Sequence, residues 1–233
     1  MNKFLKEIKF DNNYIKLCLN KVDNDLKKYI EKEILPQYDL NDKGHDKNHI
    51  EFVLKRALEI SKNYDINYNI LYTCVCFHDI ACHINREKHE ILSAEFAYND
   101  QFLKSYFSQE ELIIIKEAIE DHRASSTKIP RNIYGKILSS ADRTVEIKNY
   151  FIASLFYKVN DVKSLDKNEA IERSYNHAID KFGKNGYAVN KIYMEDKRYK
   201  KFLEDLQYLI DNKDEFYQIA EIVFNEEKLK HTL

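Results

Sequence analysis

Glycine and proline are scarce: four and two residues among 233. Both residues punctuate turns and interrupt helices. Their scarcity, with few alternating strand patterns, excludes a strand-rich fold and leaves one that is nearly all helix. Cysteine is as sparse, with four residues, and a chain of this length does not read as a disulfide framework. Cys18, Cys74, Cys76 and Cys82 fall in or near helical stretches, where a thiol packs as a small apolar group. Cys74 and Cys76 form a C-x-C pair, but residues two apart on a helix point away from each other. No apolar run approaches the ~20 residues needed to cross a bilayer. The segment Met1-Asn2-Lys3-Phe4-Leu5-Lys6-Glu7 is broken by charge, so no secretion signal is read and a cytoplasmic location is expected. Charge of one sign is missing too. The 37 basic and 39 acidic residues leave a formal charge of -2, which excludes bulk steering towards a nucleic acid polymer or a membrane and makes any anion binding local. Repeats, low-complexity linkers, Gly-rich phosphate loops and base-reading motifs are absent as well.

What the chain has is core material. It is 44% hydrophobic, with 17 tyrosines and 13 phenylalanines, enough for one large all-helical domain over residues 1–233. The 3.6-residue periodicity predicts one or more helices over about 12–35, ending at Pro36, and a loop from Tyr38 to Gly44. Further helices are expected around His49 and over about 67–81, 89–105, 109–122, 134–158, 167–182 and 196–230.

Six residues interrupt apolar helical faces where an unpaired polar group is costly. His78 and Asp79 close the stretch Ile-Leu-Tyr-Thr-Cys-Val-Cys-Phe-His-Asp. His49 lines up with Phe52, Val53, Ala57 and Ile60, and His89 with Leu92, Ser93 and Phe96. His122 follows Ile115, Ala118 and Ile119, while Asp142 lies among Leu138, Ala141 and Val145. Imidazoles and carboxylates suit Mn, Fe, Co, Ni or Zn, with Mg as a further candidate, and a mixed set points to a catalytic rather than a structural ion.

These segments resemble the HD-domain superfamily of metal-dependent phosphohydrolases over residues 40 to 150. Gly44-His45-Asp46-Lys47-Asn48-His49-Ile50-Glu51-Phe52-Val53 is similar to the segment supplying the first ligand. Phe77-His78-Asp79-Ile80 is similar to the name-giving doublet, and Ser139-Ser140-Ala141-Asp142-Arg143 to the closing segment. The resemblance implies an HD-type helical bundle with a core at about 40–158 and additional C-terminal helices over about 159–233. It implies metal ligation by His49, His78, Asp79 and Asp142. Arg86-Glu87-Lys88-His89-Glu90 and Asp121-His122-Arg123 resemble segments of the binuclear branch. There His89 and His122 would bind a second ion and Asp79 would bridge, so one or two ions are expected.

An ion of this kind lowers the pKa of bound water, so metal-bound hydroxide is the expected nucleophile, with Asp79 central to the chemistry. Negative charge building up on the transferring phosphoryl group calls for nearby cations. Arg86, Arg123 and Arg143 are the candidates, since a guanidinium forks onto phosphate; Arg143 has the alternative role of orienting a carboxylate. A general acid could come from His45, Glu90 or Asp46, although Asp46 also suits a helix cap. Phosphate release from a small phosphomonoester or nucleotide is the leading expectation. The alternatives are a di-iron oxygenase such as myo-inositol oxygenase and a non-catalytic nucleotide-binding regulatory module. Either a monomer or a homodimer is compatible with the sequence.

Overall fold

A computed structural model describes residues 2–41, 44–157, 159 and 162–230. Among these, all regular structure is helical. The α-helices are α1 (Asn12–Leu19), α2 (Asn24–Tyr29), α3 (Lys47–Ile60), α4 (Tyr68–Phe77), α5 (His89–Asn99), α6 (Gln101–Tyr106), α7 (Gln109–Glu120), α8 (Ile133–Ala141), α9 (Ile147–Leu155), α10 (Lys167–Phe182), α11 (Lys197–Asp211) and α12 (Lys213–Lys230). No described helix is long and apolar enough to cross a membrane.

With glycine so scarce, helix boundaries are written mainly at the N-terminal ends, where a short side chain accepts the first unpaired amides. Asp11, Asp23, Asp46, Asn67, Asp100, Asn132, Asp166 and Asp196 do this for α1, α2, α3, α4, α6, α8, α10 and α11. Ser108 begins α7 with a reciprocal capping box to Glu111. Three stretches that periodicity alone reads as continuous are divided, the first of them by one of these caps. Asp100 ends α5 and starts α6, Asn212 separates α11 from α12, and residues 142–146 separate α8 from α9. The expected end of the last of these stretches, at 158, lies outside the described residues. Pro36 also behaves differently from expectation. It opens a 3-10 turn, Leu35–Leu40, that follows a π-helical turn at Ile30–Ile34. In a first turn the missing N–H costs nothing, so the proline starts a turn rather than stopping the helix. Tyr38, expected in a loop, is therefore fully buried in that turn, while residues 42 and 43 of the same expected loop lie outside the described residues.

The chain divides into two compact units. One comprises Phe10–Arg143 with Tyr193–Glu195; the other comprises Met1–Lys9, Thr144–Ile192 and Asp196–Leu233. In the first, α4 is the central element: Ile70 to Phe77 are buried on every side, and α3, α5, α7 and α8 pack against it. Leu71, Val75 and Phe77 have no exposed surface, and burying such side chains stabilises the fold by about 1.5–3 kcal/mol each. Gly135 lets α8 approach closely, since a Cβ there would lie 3.2 Å from Pro130 Cβ and 3.3 Å from Ala118 Cα of α7. The second unit packs α9, α10, α11 and α12 together around Tyr150, Phe151, Phe182, Phe202 and Phe216, whose rings meet edge-on or tilted.

Candidate metal centre

The six residues singled out by the sequence come together in the first unit. Three lie at or just beyond helix C-terminal ends: His78 caps α4, His122 follows the cap of α7, and Asp142 caps α8. Two lie in first turns, His89 opening α5 and His49 in α3. Asp142, His78 and Asp79 were expected inside helices and His122 as the last residue of one; all three helices stop short, at Ala141, Phe77 and Glu120, so the side chains leave from helix ends instead. Carbonyl groups at such ends carry partial negative charge, which favours a cation nearby.

Asp79 is 1% exposed and its two oxygens face different partners. Oδ2 lies 3.5 Å from His49 Nε2 and 3.4 Å from His78 Nε2. Oδ1 lies 3.3 Å from His89 Nε2 and 3.4 Å from His122 Nε2. Asp142 Oδ1 completes the first group, 3.1 Å from His49 Nε2 and 3.8 Å from His78 Nε2. Within each set, His49–His78–Asp79–Asp142 and Asp79–His89–His122, the ligand atoms lie within 4.8 Å of one another.

The imidazoles are pre-aimed. Nδ1–H of His78 donates to Val75 O at 2.7 Å, that of His89 to Arg86 O at 2.8 Å and that of His122 to Ile119 O at 2.6 Å. Each bond holds the proton on Nδ1 and turns the Nε2 lone pair inward, the tautomer a metal needs.

The doublet's backbone is held by side chains that the sequence reading did not single out. Tyr38 Oη donates to Cys76 O at 2.9 Å and accepts from Asp79 N at 3.3 Å. Asn41 Nδ2 donates to Asp79 O and to His45 O, each at 3.0 Å, while its Oδ1 accepts from His83 N at 2.9 Å. Ser93 Oγ accepts from Ala81 N at 3.1 Å. No spacing rule marks such residues, because they act on backbone groups far along the chain.

Whether these residues suit a divalent cation can be judged from their own chemistry. His49 Nε2, His78 Nε2 and Asp79 Oδ1 are buried without a hydrogen-bond partner; the 3.1 Å approach of His49 to Asp142 is out of line for one. Polar atoms left this way cost about 1–3 kcal/mol each unless something else satisfies them. Four imidazoles and two carboxylates with inward lone pairs are a donor set for borderline divalent ions. The cluster can hold a divalent metal.

Without an ion, the charges pair with one another. Burial opposes charge on His49, but the carboxylates of Asp142 and Asp79 outweigh it and lift the imidazole to about 9. His78 is raised in the same way against its burial by Asp79 and Asp142. Burial works against ionising Asp79 and Asp142 too, yet the imidazoles hold both well below the usual carboxylate range, His78 foremost for Asp79 and His49 for Asp142. His89 is lowered, by burial first and the neighbouring His122 second.

The remaining candidates surround this cluster. His45 precedes α3, with Nε2 3.9 Å from Asp79 Oδ2, and forms a further group of potential ligand atoms with Asp79 and Cys82. All four cysteines are buried free thiols. Glu90 lies 3.5 Å from His89 Nδ1 and 3.2 Å from Arg123, which also donates to Glu87 O. Arg86 is exposed. Arg143 is 6% exposed; its Nε donates to Ser139 O at 3.1 Å, and its guanidinium lies 5.6 Å from the centre of the Tyr193 ring. Asp46 is spent on the cap of α3, accepting from Asn48 N at 2.8 Å and His49 N at 3.1 Å.

With this geometry in place, known proteins offer one point of similarity. The likeness is to a predicted HD superfamily hydrolase. Its crystal structure, from an uncultured Thermotogales bacterium, shares 18% sequence identity over 91% of this chain and 92% of that one, with a TM-score of 0.43. No protein-family model matches the chain, and no curated protein matches it.

Proposed function

We propose that this protein is a metal-dependent phosphohydrolase of the HD type, releasing phosphate from a phosphomonoester or nucleotide. One observation carries the reading: the buried Asp79 carboxylate directs Oδ2 at His49 and His78 and Oδ1 at His89 and His122. That division suits a carboxylate bridging two ions. The resemblance of the Gly44–Val53, Phe77–Ile80 and Ser139–Arg143 segments to the superfamily's own supports the same assignment.

His49, His78, Asp79 and Asp142 would hold one divalent ion, and Asp79, His89 and His122 a second. Bound there, such ions polarise a phosphoryl oxygen and lower the pKa of coordinated water. The chain's residues supply the rest. His45, at the edge of the cluster and 3.9 Å from Asp79, is the candidate to protonate the departing oxygen, a role worth about 10²–10⁴-fold in rate. Glu90 holds Arg123 beside the second group, so the pair is offered as a phosphate contact whose orientation is fixed in advance. Arg86 is offered as the other contact. Arg143, engaged by Ser139 and Tyr193, is better suited to steadying the segment that carries Asp142.

The test is a panel of phosphorylated metabolites with Mn, Co, Ni or Mg, read by phosphate release. Release with at least one phosphomonoester, lost in Asp79→Ala together with the bound metal, is the expected result. Oxygen consumption on aerobic addition of a polyol to the iron-loaded protein, without phosphate release on any member of the panel, would overturn the assignment.

A further inference from the structure

Asn41 ends the 3-10 turn Leu35–Leu40, and every polar atom of its side chain is used. Nδ2 donates both to His45 O and to Asp79 O, and Oδ1 accepts from His83 N. One amide therefore ties the segment before α3, which carries His45, to the turn after α4, which carries the bridging carboxylate. The same 3-10 turn also supplies Tyr38, which accepts from the Asp79 amide. Asp79 is thus gripped on both sides of its backbone by one short element, and of these two side chains Asn41 is the one that also bonds the His45 carbonyl. The imidazole of His45 lies beside two other rings of the cluster. Its ring centroid is 5.7 Å from that of His49 and 6.5 Å from that of His89.

We propose that Asn41 is a positioning residue that sets the distance between the proton donor His45 and the metal carboxylate Asp79. This rests on the phosphohydrolase reading for its kinetic consequence, and on geometry alone for its structural one. Removing the amide leaves the Asp79 N–H on Tyr38 but cuts the Asn41 tie between the Asp79 turn and the His45 segment, so the expected outcome is a cluster that persists with His45 displaced from it. A carboxylate at the same position keeps the acceptor for His83 but sets negative oxygen against two carbonyl oxygens, so Asn41→Asp is more damaging to alignment than Asn41→Ala.

The experiment compares Asn41→Ala, Asn41→Asp, His45→Ala and the Asn41→Ala/His45→Ala double variant in the full chain, with helical circular dichroism as the folding check. With p-nitrophenyl phosphate and Mn²⁺, Asn41→Ala should lower kcat by about 10²-fold, the span of a misplaced general acid, with KM and Mn²⁺ affinity within about threefold of wild type. The double variant should be no slower than His45→Ala alone, because the two losses share one cause. Independently of turnover or metal, the nuclear Overhauser contact between the His45 and His49 rings should be lost in Asn41→Ala. A retained ring contact, or losses that multiply in the double variant, overturns the proposal. If the wild-type protein does not turn over any phosphomonoester, the phosphohydrolase reading fails, and the ring contact alone decides the role of Asn41. Should Asn41→Asp fail to fold, Asn41→Ala carries the test.

Discussion

At Asp79 a single carboxylate faces four imidazoles, and its Oδ1 and the Nε2 atoms of His49 and His78 are buried without a hydrogen-bond partner. Its replacement should therefore be felt on both sides. Asp79→Ala is expected to bind no Mn²⁺ or Co²⁺ measurable by calorimetry, whereas His122→Ala should lose one ion of two and keep the group formed by His49, His78 and Asp142; equal losses in both variants would contradict the bridging role. Arg143 has two roles open to it in the sequence, phosphate contact or partner that orients a carboxylate, and its contacts favour the second. Directly after a candidate ligand, an arginine reads as a phosphate contact, yet its guanidinium is engaged by Ser139 O and the Tyr193 ring, from a segment fifty positions away. Only the folded chain reveals that. The six ligand candidates were legible because imidazole and carboxylate stand out among Ile, Val, Phe and Ala. Asn41, Tyr38 and Ser93 were not, because an asparagine, a tyrosine and a serine that grip backbone groups look like any other polar residue in the sequence.

Helix by helix, periodicity located α4, α7 and α10 to within a few residues and placed a helix around His49, but it could not see where one helix abuts another. Between α5 and α6, Asp100 serves as the end of one and the cap of the next, with no glycine or proline to announce the change. The same blindness extended the expected helix through Asp142, and it matters for the proposed chemistry, since a candidate ligand at a helix end has directions open to it that one in mid-helix lacks. Two predictions belong here. Asp46→Ala should cost about 1 kcal/mol of stability through the lost cap of α3, while Asp46→Asn should cost little; urea denaturation reads both. If Asp46 were instead the proton donor, Asp46→Asn would abolish turnover at full stability. Tyr38→Phe strands the Asp79 amide and the Cys76 carbonyl in the interior, and a loss of about 1–3 kcal/mol is expected in the same measurement.

For the molecule as a whole, the ion and the proton compete for the same atoms. His49 is lifted to about 9 by Asp142 and Asp79 against its burial, above its ordinary value, so in the metal-free protein its contribution to stability is fully present at acid pH. That contribution fades as pH rises through about 9. Asp79 and Asp142 are depressed, with burial opposing and the imidazoles prevailing; their contribution is present above the usual carboxylate range and is lost in acid. On the proposed ligation, metal binding expels the protons of His49 and His78, both raised against their burial by the carboxylates, so Mn²⁺ affinity should rise between pH 6.5 and 8.5 by up to about tenfold per pH unit for each proton expelled, with proton release visible as a dependence of calorimetric heat on buffer. A flat affinity over that range would rule out His49 as a ligand. Saturating metal at about 100 times its dissociation constant should add about 2.7 kcal/mol to the stability of the unit that contains the cluster. The two-sided carboxylate has one more consequence. Because each oxygen of Asp79 can swing only as the other does, the two-ion proposal implies that the first cation to arrive freezes the hinge on which the second must land. Loading should therefore be cooperative, with half-filled protein rare at every concentration, and partial occupancy should not yield a population of half-active enzyme.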